Sequence, residues 1–160
     1  MEKDLILKKE DLYRLNLVLT RFVDISRVDC AIIINKSGRM ITSQSETSEY
    51  DKTSLAALVS GNFASSSSIA NMLDENEFSS MLQEGKKKHI FVSTLDNNSI
   101  LACIFDKRTN IDKIKPALDE VLPRLQELLR VVYSHVVSDP SINLDVAPLP
   151  ETLSKGSAAP

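Results

Sequence analysis

Between residues 8 and 27, Leu12, Leu15, Leu19 and Phe22 recur at helical spacing, Val18 and Ile25 widen the apolar stripe, and Arg14 and Arg21 fall opposite it. That period predicts an amphipathic helix, preceded at residues 4–7 by a short apolar lead-in that is either an edge strand or a staple. Residues 28–35, VDCAIIIN, form a β-branched run, and the turn sequence KSGR at 36–39 leads into a second strand at 40–44. The run AIII is continuously apolar, which predicts a central strand covered by helices on both faces. Further on, residues 78–85 (FSSMLQEG), 88–95 (KHIFVSTL) and 99–105 (SILACIF) read as three strands of an antiparallel meander. Asp96-Asn97-Asn98 supplies the turn between the last two.

The final pattern is again helical. Ile111, Ile114, Leu118, Val121, Leu122, Leu125, Leu128, Leu129 and Val132 keep one phase, and Thr109 or Asn110 can cap the helix they define. Pro123 removes a hydrogen bond and crowds the preceding turn. The phase nevertheless passes through Pro116 and Pro123, so one kinked helix is expected rather than two. From residue 138 the pattern stops and Pro140, Pro148, Pro150 and Pro160 cluster. This predicts one domain at residues 1–137 and a disordered tail at 138–160, whose end, KGSAAP, has the composition of a linker remnant.

The stretch 51–74, DKTSLAALVSGNFASSSSIANMLD, stands apart. On a helical wheel Leu55, Leu58, Val59, Ile69 and Leu73 gather on one side, and Ser54, Ala57, Gly61, Ser65 and Ser68 gather about a quarter-turn away. A surface helix ordinarily carries charge opposite its apolar stripe, yet there is none between Lys52 and Asp74. Asp51 suits an N-cap, with Ser54 three residues on. Gly61-Asn62 and the serines at 65–68 weaken helix propensity, so the small residues read as places where another backbone comes close and tertiary packing offsets the loss. On this reading Leu55, Leu58, Ile69 and Leu73 bind the chain's own sheet and the small-residue side meets a partner. Phe63 lies on neither side and is either an exposed anchor or a core or dimer contact.

Composition removes function classes rather than adding them. A chain of 160 residues with 42% hydrophobic content supplies one sizeable core. Net charge is -3 and the basic residues are dispersed except at Lys86, Lys87 and Lys88, so no nucleic-acid stripe or membrane-binding face is expected. The triplet reads as a solvated turn or a weak anion contact. No signal-peptide pattern opens the chain and no apolar run approaches the roughly 18 residues that span a bilayer, which predicts a soluble intracellular protein. Cys30 and Cys103 sit in apolar runs as reduced core residues. His89 and His135 have no ligand at metal spacing, so neither metal nor cofactor is expected. Gly38, Gly61, Gly85 and Gly156 are too scattered for a phosphate loop or dinucleotide fingerprint. The serines at 65–68 lack a histidine and a nucleophile elbow. No catalytic residue is assigned, and function has to be sought on a surface.

The order helix, hairpin, helix, three strands, helix is similar to the roadblock/dynein light chain fold. The string DKTSLAALVSGNFASSSSIANMLDENEFSSMLQEG resembles, more narrowly, the signature of the MglB family. Asp51, Thr53, Ser54, Leu55, Ala56, Leu58, Gly61, Asn62, Glu77, Phe78, Glu84 and Gly85 carry that resemblance. IFDKRTN at 104–110 is similar to the family's segment after the last strand. The resemblance implies an α+β fold, α-β-β-α-β-β-β-α, with a five-stranded antiparallel sheet between helices and sheets joined across a bacterial homodimer. It implies a dimer interface at Ser54, Ser65, Met72, Phe78 and Met81, and a Ras-like GTPase of the MglA type bound, two subunits to one, near Ala57, Gly61, Ala64 and Ser68. The family stimulates GTP hydrolysis without an arginine finger, repositioning the GTPase's own residues; some members also assist nucleotide exchange. Cytoplasmic action at a cell pole, in polarity or motility, follows from the same resemblance, and the basic triplet becomes a possible GTPase contact. Two other readings stay open: a dimeric roadblock adapter that binds a GTPase or motor component without stimulating hydrolysis, and a profilin-like or PAS-like small-ligand sensor. The serine run and the two prolines of the last helix depart from the family. In the tail, Leu144, Val146, Leu149 and Leu153 are either a short partner-binding segment or inert.

Overall fold

The computed structural model describes residues 7–47 and 49–138, so the expectations for residues 4–6 and for the tail lie outside the described residues. Helix α1 (Lys9–Ser26) buries Leu15, Leu19, Phe22 and Val23 and stops where Arg27 turns left-handed at φ 63°, its N–H donating to the Val23 carbonyl. Strands β1 (Cys30–Asn35) and β2 (Met40–Ser45) form a hairpin. Its turn needs Gly38, whose φ of 105° costs a side-chain-bearing residue far more. Helix α2 (Lys52–Met72) follows, then β3 (Ser80–Glu84), β4 (His89–Thr94), β5 (Ser99–Phe105) and α3 (Ile111–Ser138).

The strands make one antiparallel sheet in the order β2-β1-β5-β4-β3. β1 and β5 are interior, which is why both read as continuous apolar runs; β5 is buried at every position. Alternation along the strands divides the core in two. Ala31, Ile33, Phe91, Leu101, Cys103 and Phe105 face α1 and α3. Cys30, Ile32, Ile34, Val92, Ile100, Ala102 and Ile104 face α2. The α+β architecture and the helices on both faces agree with the sequence.

α3 runs unbroken through Pro116 and Pro123. Both prolines are exposed, and the carbonyls they leave without an N–H belong to Asp112 and Asp119, also exposed, so the lost bonds lie on the solvent side of the helix. Of the two candidate caps Asn110 serves, accepting from the Lys113 N–H at 3.2 Å. The Thr109 hydroxyl instead donates to the Ser26 carbonyl at 2.6 Å and ties the start of α3 to the end of α1.

α2 is turned from the orientation its periodicity predicts. The side against the sheet is Ala56, Val59, Ser60, Phe63, Ser66 and Ala70. Of the apolar residues assigned there, Val59 is buried and Leu55 partly so, but Leu58, Ile69 and Leu73 are 72%, 56% and 63% exposed. Small residues bring the helix close to the hairpin: the Ser60 hydroxyl donates to the Lys36 carbonyl at 2.8 Å. With apolar side chains all round the helix, period alone could not choose which of them face inward. Phe63, left open by the sequence, is a core residue at 5% exposure. Ile25, counted in the stripe of α1, is partly exposed at its end.

Candidate association face

Asp51 caps α2, its carboxylate accepting from the Ser54 hydroxyl at 2.7 Å and the Ser54 N–H at 3.1 Å. These bonds, the hydroxyl's first, hold the Asp51 carboxyl below its usual range. Beyond the cap, Ser54, Gly61, Ser65 and Met72 recur along the ridge pointing away from the sheet, and all four are exposed. Ala57, Ala64 and Ser68 lie on the flank towards the β1–β2 hairpin, where Ala57 approaches Gly38. Leu58 and Asn62 lie on the other flank, along an open groove of about 480 Å³ that separates α2 from Gln83 and Glu84 of β3.

The serines keep this side of the helix chemically quiet. The hydroxyls of Ser65 and Ser68 donate to the carbonyls of Gly61 and Ala64 at 3.1 and 3.3 Å. Their donors are thus satisfied within the helix, and what remains outward is small and uncharged. A Cβ added to Gly61 would meet nothing within 4 Å. No contact within the chain therefore requires glycine there.

β3 completes the face. It is a sheet edge, and the bonds from the Gly85 N–H to the Lys88 carbonyl and from the Thr94 N–H to the Ser79 carbonyl set its pattern. By alternation, Ser80, Leu82 and Glu84 turn their backbone groups outward. Leu82 is 42% exposed. Such an edge pairs readily with another strand.

The residues expected to meet a GTPase, Ala57, Gly61, Ala64 and Ser68, thus share one exposed strip from flank to ridge. Of those expected at a dimer interface, Ser54, Ser65 and Met72 lie on the ridge, whereas Phe78 and Met81 lie by β3 and are half-buried. Met81 packs against the α2-side core. Sequence reasoning missed the outward Leu58, Ile69, Leu73 and Leu82. The signal was present: the helix has no charge between Lys52 and Asp74 and carries bulky aliphatics on more than one side, of which only one can face its own sheet.

It also missed the environment of Asp29, whose side chain is 4% exposed. Lys88 Nζ lies 2.5 Å from one carboxylate oxygen, the Tyr50 hydroxyl 3.4 Å from the same oxygen, and the Arg108 guanidinium pairs with the other. Arg108 also pairs with Asp106 at 3.0 Å. The bond to Asp29, with that to Tyr50 second, pushes the Lys88 ammonium above its usual range; the Arg108 backbone N–H holds the Asp106 carboxyl low. Lys86, Lys87 and Lys88 are all exposed, as a solvated turn requires, and the Lys88 head group in addition reaches Asp29. The lone acid in VDCAIIIN was the clue, since a buried carboxylate needs a cation.

Cys30 and Cys103 are buried and burial raises both thiols, so they pack as small apolar groups. Among the described residues no group of three His, Cys, Asp or Glu side chains could hold a metal ion, and no helix is long and apolar enough to cross a membrane.

A five-stranded sheet with two helices on one face, a third helix on the other and an open strand beside it is the architecture of a roadblock domain. Residues 14–105 match the family model of the Roadblock/LC7 domain, and the chain belongs to that family. Among solved structures it is similar to Myxococcus xanthus MglB, with 26% identity and a TM-score of 0.73 over 79% of this chain and 96% of that one. An MglB with tetrameric arrangement gives 20% identity and 0.77 over 82% and 99%. The gliding protein MglB of Thermus thermophilus gives 21% and 0.75 over 82% and 99%. No curated protein matches the chain.

Proposed function

We propose that this chain is a non-catalytic activator of a Ras-like GTPase of the MglA type, working in the cytoplasm as a homodimer, two subunits to one GTPase, in cell polarity or motility at a cell pole. The observation that carries this reading is Gly61. Glycine inside a helix costs about 1 kcal/mol relative to alanine, and open space surrounds the position where its Cβ would be. A second backbone approaching the charge-free side of α2 supplies the reason the chain itself does not. The similarity to Myxococcus xanthus MglB supports the choice of partner class.

In this reading the ridge residues Ser54, Ser65 and Met72, with Phe78, Met81 and the edge of β3, meet the second copy. Ala57, Gly61, Ala64 and Ser68 receive the GTPase. That strip has no charged side chain to insert beside a phosphate, so acceleration comes from holding the GTPase's own catalytic groups in place. Titrating the full chain into an MglA-type GTPase loaded with GTP tests this: binding with faster phosphate release is the expected result. Absence of binding to the GTP state sinks the proposal, and binding without acceleration makes the chain an adapter instead. Nucleotide release in the same titration shows whether exchange is also assisted.

A further inference from the structure

Lys88 stands at the end of the groove that separates the first turns of α2 from the β3–β4 turn. Its ammonium reaches the buried Asp29 carboxylate at 2.5 Å and lies 6.0 Å from the centre of the Tyr50 ring. Tyr50 immediately precedes the Asp51 cap of α2. One side chain thus joins the β3–β4 turn to the start of β1 and to the lead-in of α2. The turn transmits that hold: the Gly85 N–H donates to the Lys88 carbonyl at 3.0 Å, and a Cβ on Gly85 would lie 2.5 Å from the same carbonyl. Past the far end of α2, Lys36 and Glu77 pair at 2.9 Å, so the α2–β3 connection has a separate tie to the β1–β2 hairpin.

We propose that Lys88 is a positioning residue of the face by which this chain meets a second copy of itself: held by Asp29, it sets the β3 edge relative to α2. This rests on the self-association reading given above. The two parts of the face, a strand edge and a helix ridge, must be presented together for both to engage the same partner. The groove separates them at the Tyr50 end, and the Lys88 side chain reaches across it towards the Tyr50 ring. Because α2 carries no charge between Lys52 and Asp74, an ionic-strength effect that disappears with Lys88 identifies the tie as its source.

The test is sedimentation of the full chain and of Lys88→Met and Lys88→Arg, over a concentration series at about 50 mM and about 500 mM NaCl. Lys88 is 48% exposed, so the methionine does not open the core. Lys88→Met is expected to raise the dimer dissociation constant about tenfold and to remove the salt dependence expected of the unsubstituted chain. Lys88→Arg should restore both. In Lys88→Met the buried Asp29 carboxylate keeps Arg108 but loses its other cation, so the monomer's melting midpoint, taken below the dissociation constant, should fall for Lys88→Met and recover in Lys88→Arg, with every variant still folded at the temperature of sedimentation. An unsubstituted dimer matched in strength and salt dependence by Lys88→Met overturns this inference alone. An unsubstituted chain that sediments only as a monomer overturns the self-association reading, and this inference with it.

Discussion

Phe63 is the largest side chain that α2 buries, and Lys36 Nζ lies 5.4 Å from its ring centre. Phe63→Ala should lower folding stability by about 3–5 kcal/mol, read from urea unfolding. Leu58→Ala and Ile69→Ala, at exposed positions, should leave the isolated chain within about 0.5 kcal/mol and weaken only its self-association. Losses of about 2–5 kcal/mol at Leu58 and Ile69 would mean that α2 lies in the orientation first read from its period. Phe63 was hard to place from sequence because its inward neighbours are Ala56, Ser60, Ser66 and Ala70, small residues that no hydropathy pattern marks as core. Asp29 was hidden for the opposite reason: its partners Lys88 and Arg108 are distant in sequence, and only the fold brings them together.

At the scale of elements, the period of side chains was enough to locate every helix and strand among the described residues, with ends displaced by one or two positions. The strand meander and the continuity of α3 through its prolines were legible because alternation and helical phase are local properties. Which side of α2 faces inward is not local; it depends on how the helix seats on the sheet. This gives the element-level predictions their form. Ala64→Arg with Ser68→Arg should abolish GTPase binding while the dimer persists, since both replaced side chains lie on the hairpin flank; pull-down and sedimentation on the same sample check it. Leu82→Pro removes a donor from the free edge of β3 without breaking its bonds to β4. It should weaken self-association, as measured by sedimentation, with the circular dichroism spectrum unchanged.

For the molecule as a whole, the acid limb of stability is set in part by Asp51 and Asp106, both held below the ordinary 3.8 by bonds from Ser54 and from Arg108 respectively. A carboxyl whose folded pKa is lowered binds fewer protons folded than unfolded. Its stabilising share is complete above about pH 4 and is lost as pH falls through the folded value. Melting midpoints should therefore hold through neutral pH and decline below about pH 4. Asp51→Asn keeps an acceptor at the cap but cannot titrate, and should make that decline shallower.

The sheet divides its core unequally. Among the described residues, twenty-one buried apolar side chains pack on the face of α1 and α3, and ten on the face of α2. The thinner layer opens at lower free energy than the thicker one. Backbone amides of α2 should consequently take up deuterium earlier than those of β1, β5 and α3, through a detachment that leaves the rest of the molecule folded. A partner seated on α2 slows that exchange and leaves the others at their former pace. The helix that carries the candidate association face is then also a clock, and its rate reports whether the face is occupied.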